Sequence, residues 1–193
     1  MRSERQPDST VWLVTPDVAH EAASQAMPRE FLAGEEPPLT NVELALAEFQ
    51  SFVRELADEA RGVGLPPGVV PRQTYWLQRD DGTLVGEIRL RPRLTEPFER
   101  HHGHIGYNIR PSARGQGYAT RQLALVLERA REQGLRRVML PVEGENPASV
   151  RVIEKNGGRL GWRRRDGETG EMVTAYWIEL MSHSELAGGD KAQ

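Results

Sequence analysis

Residues 105–117 read IGYNIRPSARGQG and run without a break into YATRQLALVLERA, residues 118–130. Residues 103–109 have strand character. From residue 117 to about 133 the pattern turns helical, with Leu123, Val126, Leu127 and Ala130 on one stripe and Gly134 as the stop. Between strand and helix, Gly115 and Gly117 let the backbone take positive φ and approach a ligand with no Cβ in the way. The helix start aims unpaired N–H groups and the positive end of its dipole at the same spot, so the turn is built to cradle phosphate oxygens. A charge-assisted hydrogen bond is worth roughly 1.5–3 kcal/mol, and several together can anchor a diphosphate. Two other phosphate motifs are excluded. No Gly-Lys pair followed by Ser or Thr is present, and a dinucleotide fingerprint needs Gly where Thr120 stands.

Working outward toward the C-terminus, residues 137–142 form a short apolar strand. Asn146-Pro147 reads as an N-cap followed by Pro at the first helical position, and that helix runs to Asn156 before Gly157 and Gly158. Residues 161–165 and 171–179 close the chain as a strand pair around Asp166-Gly167. Toward the N-terminus, residues 74–78 and 83–90 flank Asp80-Asp81-Gly82, a hairpin signal. Residues 62–71 are a Pro/Gly loop. A helix from Thr40, spaced with Glu43 as a capping box, to about Ala60 carries Val42, Ala45, Leu46, Phe49, Phe52, Val53 and Leu56 at helical period. Residues 34–39 are a loop, residues 17 to about 27 a helix capped by Asp17, and residues 11–14 a first strand. The order predicts an α/β fold in one domain, residues 10–183, with flexible ends at 1–9 and 184–193. Its sheet is mixed, mostly antiparallel, of about seven strands, flanked by about four helices.

The 193 residues, 38% hydrophobic and 27% charged, suit one globular domain. No apolar run approaches the roughly 18 residues of a membrane span, and residues 1–10 hold no apolar signal core, so a cytoplasmic protein with no membrane partner is expected. The absence of Cys excludes disulfides and thiolate metal sites. A net charge of -3 argues against a nucleic-acid partner. The densest basic cluster, Arg159 with Arg163, Arg164 and Arg165, reads as a solvated strand and turn, with a docking patch for an acidic partner as the other reading.

Arg114, Gly117 and Ala119 resemble the signature of the GNAT superfamily of acetyl-CoA-dependent N-acetyltransferases: Arg or Gln, Gly three residues on, and Gly or Ala two further. The motif stands where that family has it, between fourth strand and third helix. Residues 137–142 look like the family's fifth strand, which splays from the fourth to admit the pantetheine arm. Residues 146–158 look like its Asn-initiated fourth helix. The resemblance covers about residues 75–180. It implies acetyl-CoA as co-substrate and no metal, with coenzyme A held by backbone groups at Ile109 and from Arg114 through Gly115, Gln116, Gly117, Tyr118 and Ala119 to Thr120. Asn146 would touch the pantetheine or stabilise the site, besides capping its helix. The implied activity is transfer of an acetyl group to a primary amine of a small molecule, by direct attack with a general base, in a monomer or homodimer. A protein N-terminal or ribosomal-protein acetyltransferase and a non-catalytic acyl-CoA sensor are the alternatives.

An alkyl amine of pKa about 10.4 is only about one part in a thousand neutral at pH 7.4, a cost of roughly 4 kcal/mol unless a base removes the proton. In relatives reading Glu-Ile-Gly-Tyr before the turn, the Glu is a candidate base, and His104 takes its place here. Glu87, on the face of its strand with Val85 and Arg89, is the alternative base; a surface ion pair with an Arg is its plainer reading. His101, His102 and His104 do not make a metal site, since alternation puts only 102 and 104 on one face and no third ligand is evident. Many family members carry a Tyr in the fourth helix that protonates the departing thiolate. Ile153 occupies that segment here, leaving Tyr107 and Tyr176 as stand-ins. Glu30, Glu35 and Glu36 are expected in a solvated acidic loop, with a place at the rim of the acceptor cleft as the other reading.

Overall fold

The computed structural model of the chain describes residues 10–34, 41–167 and 169–180. The expected flexible ends, Glu35 and Glu36 with most of their loop, and Thr40 with its capping box lie outside the described residues. Seven strands form two sheets, and every ladder is antiparallel. The first sheet has the order β1 (Val11–Val14), β2 (Gln73–Arg79), β3 (Leu84–Leu90), β4 (Ile105–Ile109). The second has β7 (Met172–Glu179) between β5 (Arg137–Glu143) and the edge strand β6 (Arg159–Arg165). The Arg cluster lies exposed on that edge, with Arg164 stacked on Trp162 at 3.9 Å, in keeping with a solvated strand.

Local signals set several boundaries as expected. Asp17 accepts the Ala19 N–H at 2.8 Å, Gly82 turns the β2–β3 hairpin at φ +81°, and Gly134 follows the third long helix at φ +81°. Among the described residues the helices number seven where about four were expected, because two predicted helices are broken and one was not foreseen. The first predicted helix becomes a 3-10 turn (Val18–His20), α1 (Glu21–Ser24) and α2 (Ala26–Ala33). It continues past Pro28, which falls in the first turn of α2, where the missing N–H has no intrahelical partner to lose. The second divides at Glu48, whose φ −139° and ψ 68° are not helical, into α3 (Val42–Ala47) and α4 (Phe49–Arg61). The unforeseen helix is α5 (Glu96–His101).

Two cores position the site. On one face of the first sheet, α2, α3 and α4 bury Met27, Phe31, Phe49, Phe52 and Leu56 against Trp76. On the other, α6 (Tyr118–Glu132) lays Leu123, Val126 and Leu127 across both sheets, touching the cluster of Ile88 and Ile105 from the first and Val138 and Ile178 from the second. Three fully buried aliphatic side chains at about 1.5–3 kcal/mol each contribute a gross sum comparable with the net stability of a domain. That packing holds α6, and with it the turn at its N-terminus, at a fixed place between the sheets. α7 (Pro147–Lys155) docks on the same core through Ile153, which is 1% exposed.

Candidate active site

The turn before α6 has the conformation that its glycines predict. Gly115 sits at φ +74° and Gly117, the N-cap of α6, at φ +85°. A Cβ at Gly115 would meet nothing within 4 Å, so that glycine serves the backbone conformation and leaves the turn open. The side chains around it are employed in holding the turn. Arg114 Nε donates to the Ile109 carbonyl at 3.1 Å while its guanidinium lies over the Phe31 ring, and Gln116 Nε2 donates to the Ser112 carbonyl at 3.2 Å. Tyr118 is buried with Leu77, Val85 and Ile109, and the Thr120 carbonyl accepts from Asn156 Nδ2 at 3.2 Å. The N-terminus of α6 offers a ligand at this turn the backbone N–H groups of the first helical turn. A phosphate-bearing coenzyme fits such a donor set.

β4 and β5 share no ladder. They meet at one seam, where the His104 N–H donates to the Met139 carbonyl at 2.8 Å and the Met139 N–H donates to His104 Nδ1 at 3.0 Å. A Cβ on Gly103 would lie 2.4 Å from Pro141 Cδ and 2.6 Å from the Met139 carbonyl oxygen, so the contact has no room for another side chain. No ladder between the two strands continues past the seam. Tyr107 sits beyond it with its hydroxyl donating to the Ser149 carbonyl at 3.5 Å, in the helix that Asn146 caps by accepting the Ser149 N–H at 3.0 Å. Burial raises the Tyr107 pKa, which keeps the hydroxyl a proton donor. Tyr176, the other stand-in, is 9% exposed and packs in the α6 core with Ile153.

The seam occupies the nitrogen that His104 would need as a base. Its Nδ1 lone pair accepts the Met139 N–H, which places the imidazole proton on Nε2, and protonating Nδ1 would cost one of the two hydrogen bonds of the seam. Burial, then the nearby Arg137 and Arg91, holds its pKa down to about 4. This geometry favours a joining role over the expected general base. A histidine whose folded pKa lies below the unfolded value of about 6.5 gives stability that is present in full above 6.5 and is lost as pH falls toward 4. His104→Asn retains an acceptor for Met139 and does not titrate. Its stability in urea is expected to fall less than the parent's between pH 7 and pH 4.5; equal losses in both would show that His104 is not the group responsible.

On the α2–α4 face, Trp76, Glu87 and Asn108 are cross-strand partners in one row over β2, β3 and β4. Glu87 is 5% exposed, which corrects its reading as a surface ion pair. It accepts the Trp76 indole N–H at 3.4 Å and stands 3.7 Å from Arg89. Asn108, with its amide turned to satisfy both ends, accepts from the Arg89 guanidinium at 3.3 Å. A pocket opens above Glu87 and Trp76, walled by Met27, Pro28, Val42 and Phe52. The sequence reading missed Trp76: the register shifts between Leu77 and Gln78, so counting back from the hairpin would set Tyr75, not Trp76, opposite Glu87. Glu30, read as part of a solvated loop, instead lies on α2 and is fully engaged by Arg110 and Ser112. Among the described residues no group of three or more His, Asp or Glu is placed to hold a metal ion, and no helix is long and apolar enough to cross a membrane.

Solved acetyltransferases share this fold. RimL, a ribosomal alpha-N-protein acetyltransferase in complex with coenzyme A, superposes with a TM-score of 0.65 at 20% identity over 88% of this chain and 94% of its own. An N-acetyltransferase from Staphylococcus aureus gives 0.58 at 15% identity over 90% and 100%. A spermidine N-acetyltransferase chimera from Vibrio cholerae and hSSAT gives 0.61 at 16% over 92% and 98%. At these identities the likeness is one of fold. No curated protein matches the chain in sequence. The model of the acetyltransferase (GNAT) domain matches residues 12–159, and the chain therefore belongs to the GNAT family of acetyltransferases.

Proposed function

We propose that the chain moves an acetyl group from acetyl-CoA to the primary amine of a small molecule that carries an apolar body, and that Glu87 takes the amine proton. The observation that carries this reading is a carboxylate buried at the floor of an apolar pocket, one ladder partner away from β4. Bound acetyl-CoA supplies an activated acetyl thioester. Backbone groups from Arg114 to Thr120 would hold its phosphates, and the opening between β4 and β5 would receive its pantetheine arm beside Asn146.

The chain's own groups divide the remaining work. An ammonium entering between Met27, Phe52 and Trp76 loses hydration, which lowers its pKa, while the Glu87 carboxylate offers the acceptor for its proton within the same pocket. Tyr107, protonated and placed beside the first turn of α7, donates its hydroxyl hydrogen to the departing thiolate, the task for which Ile153 has no proton. His104 holds the two strands together at the closed end of the wedge. Since the reference thiol pKa is about 8.5, the thiolate is a tolerable leaving group, and a hydrogen bond suffices to assist it. Tyr107→Phe is expected to lower kcat by about tenfold with unchanged acetyl-CoA affinity.

The likeness in fold to spermidine and ribosomal-protein acetyltransferases leaves both small and polypeptide acceptors on the table. The apolar side chains of Met27, Pro28, Val42 and Phe52 beside the Glu87 carboxylate support the small one. Thiol release from acetyl-CoA across a panel of alkyl and aryl-alkyl amines and short peptides tests this directly. Saturable turnover with small amines of apolar body is the expected result. Turnover with peptide N-termini alone would move the chain to protein acetylation, and tight coenzyme binding without turnover would make it a sensor.

A further inference from the structure

Helix α2 has two faces toward the site. Met27 and Pro28 wall the acceptor pocket, while one turn later Glu30 and Phe31 reach the loop that leads into the coenzyme turn. The Glu30 carboxylate is saturated there. Oε1 accepts from Arg110 Nε at 3.0 Å, from a second Arg110 guanidinium nitrogen and from Ser112 Oγ at 3.0 Å; Oε2 accepts the Ser112 N–H at 3.1 Å. Arg110 is itself fixed to β3, its Nη1 donating to the Leu84 carbonyl at 3.2 Å and its backbone N–H to the Val85 carbonyl at 3.0 Å. Phe31 then underlies the guanidinium of Arg114, the first residue of the turn, at 5.6 Å.

We infer that Glu30 is a positioning residue that binds the acceptor helix to the coenzyme turn, so that the pocket wall and the phosphate cradle are held as one unit. The inference rests on the acetyltransferase reading given above. A carboxylate meeting a guanidinium fork and a backbone N–H at once fixes direction as well as distance, because the planar donors and the N–H admit one orientation. The hydrogen bond to Arg110 is the largest reason the Glu30 pKa falls to about 2, so the anion persists throughout the range in which the enzyme would be assayed. None of Glu30, Arg110 and Ser112 lines the pocket, so removing the Glu30 carboxylate leaves Glu87 and Tyr107 in place.

The expected consequence of Glu30→Ala is a rise of about tenfold in the acetyl-CoA dissociation constant and in the KM of both substrates, with kcat within about twofold of the parent. A role in stability alone would lower the folded fraction, and hence apparent kcat, without moving either KM. Coenzyme A binding by calorimetry, run without acceptor on the parent, Glu30→Ala, Arg110→Ala and the double variant, tests the inference even before a good acceptor is known. Non-additive losses in the cycle support the bracket, as does partial recovery in Glu30→Gln, which keeps an acceptor oxygen. A Glu30→Ala protein that melts with the parent and binds coenzyme A equally well overturns it. Should the parent itself fail to bind coenzyme A, the acetyltransferase reading fails instead. If Glu30→Ala does not fold, Glu30→Gln carries the same measurement, and parent-like affinity and KM values there overturn the inference.

Discussion

Glu87→Gln is expected to lower kcat/KM for amine acetylation by about 100-fold or more while acetyl-CoA affinity stays unchanged. Gln keeps the volume of the side chain and an oxygen to accept the Trp76 indole N–H, so the pocket floor retains its shape. What disappears is the charge that meets the ammonium and the site that receives its proton. Proton transfer by a positioned side chain typically contributes about 100- to 10,000-fold, which sets the scale. Glu87→Asp retains the carboxylate but withdraws it by one methylene, and a smaller loss is expected there. Coenzyme binding is spared because Glu87 faces the α2–α4 side of the sheet, away from the core that seats α6. Parent-like kcat/KM in a folded Glu87→Gln enzyme would remove the residue from the chemistry and leave the base to be sought elsewhere.

The contrast between Glu87 and the turn shows which parts of this site the sequence makes legible. The turn at residues 114–120, the Asn146 cap and the β2–β3 hairpin are local events, in which neighbours within a few residues set the backbone and glycine marks where φ turns positive. Each is visible in a short window, and each is found close to its expected place. The burial of Glu87 depends on α2, α3 and α4 folding over one face of the sheet, and the Glu30–Arg110 pair joins residues 80 positions apart. Periodicity carries no information about either. His104 stands between these cases. Its place beside the strand was readable, although β4 begins one residue later, at Ile105, but its chemistry is decided by one backbone N–H from β5, a partner that no pattern near residue 104 names. The break at Glu48 is of the same kind: the apolar period continues through it from Val42 to Leu56, and the hydrophobic face alone does not reveal that the backbone turns there.

Gly117→Val is expected to weaken coenzyme A binding by 100-fold or more, which amounts to abolition at ordinary assay concentrations; about 2.8 kcal/mol suffices. Gly117 holds φ +85° at the N-cap of α6, a region in which a β-branched residue is an outlier, with the left-handed conformation alone costing roughly 1–2 kcal/mol. Valine can relieve that strain only by turning the peptide units that precede α6, the units whose N–H groups would face the phosphates under the proposed function. The helix itself should survive, because Leu123, Val126 and Leu127 remain locked between the sheets. Binding and folding therefore separate, and calorimetry with coenzyme A beside a thermal melt distinguishes them. Gly115→Ala is the companion variant. Its Cβ would enter open space, so it tests positive φ without obstruction, and a loss well below that of Gly117→Val is expected. If Gly117→Val kept the parent's affinity for coenzyme A, the phosphates would have to be held somewhere other than the N-terminus of α6.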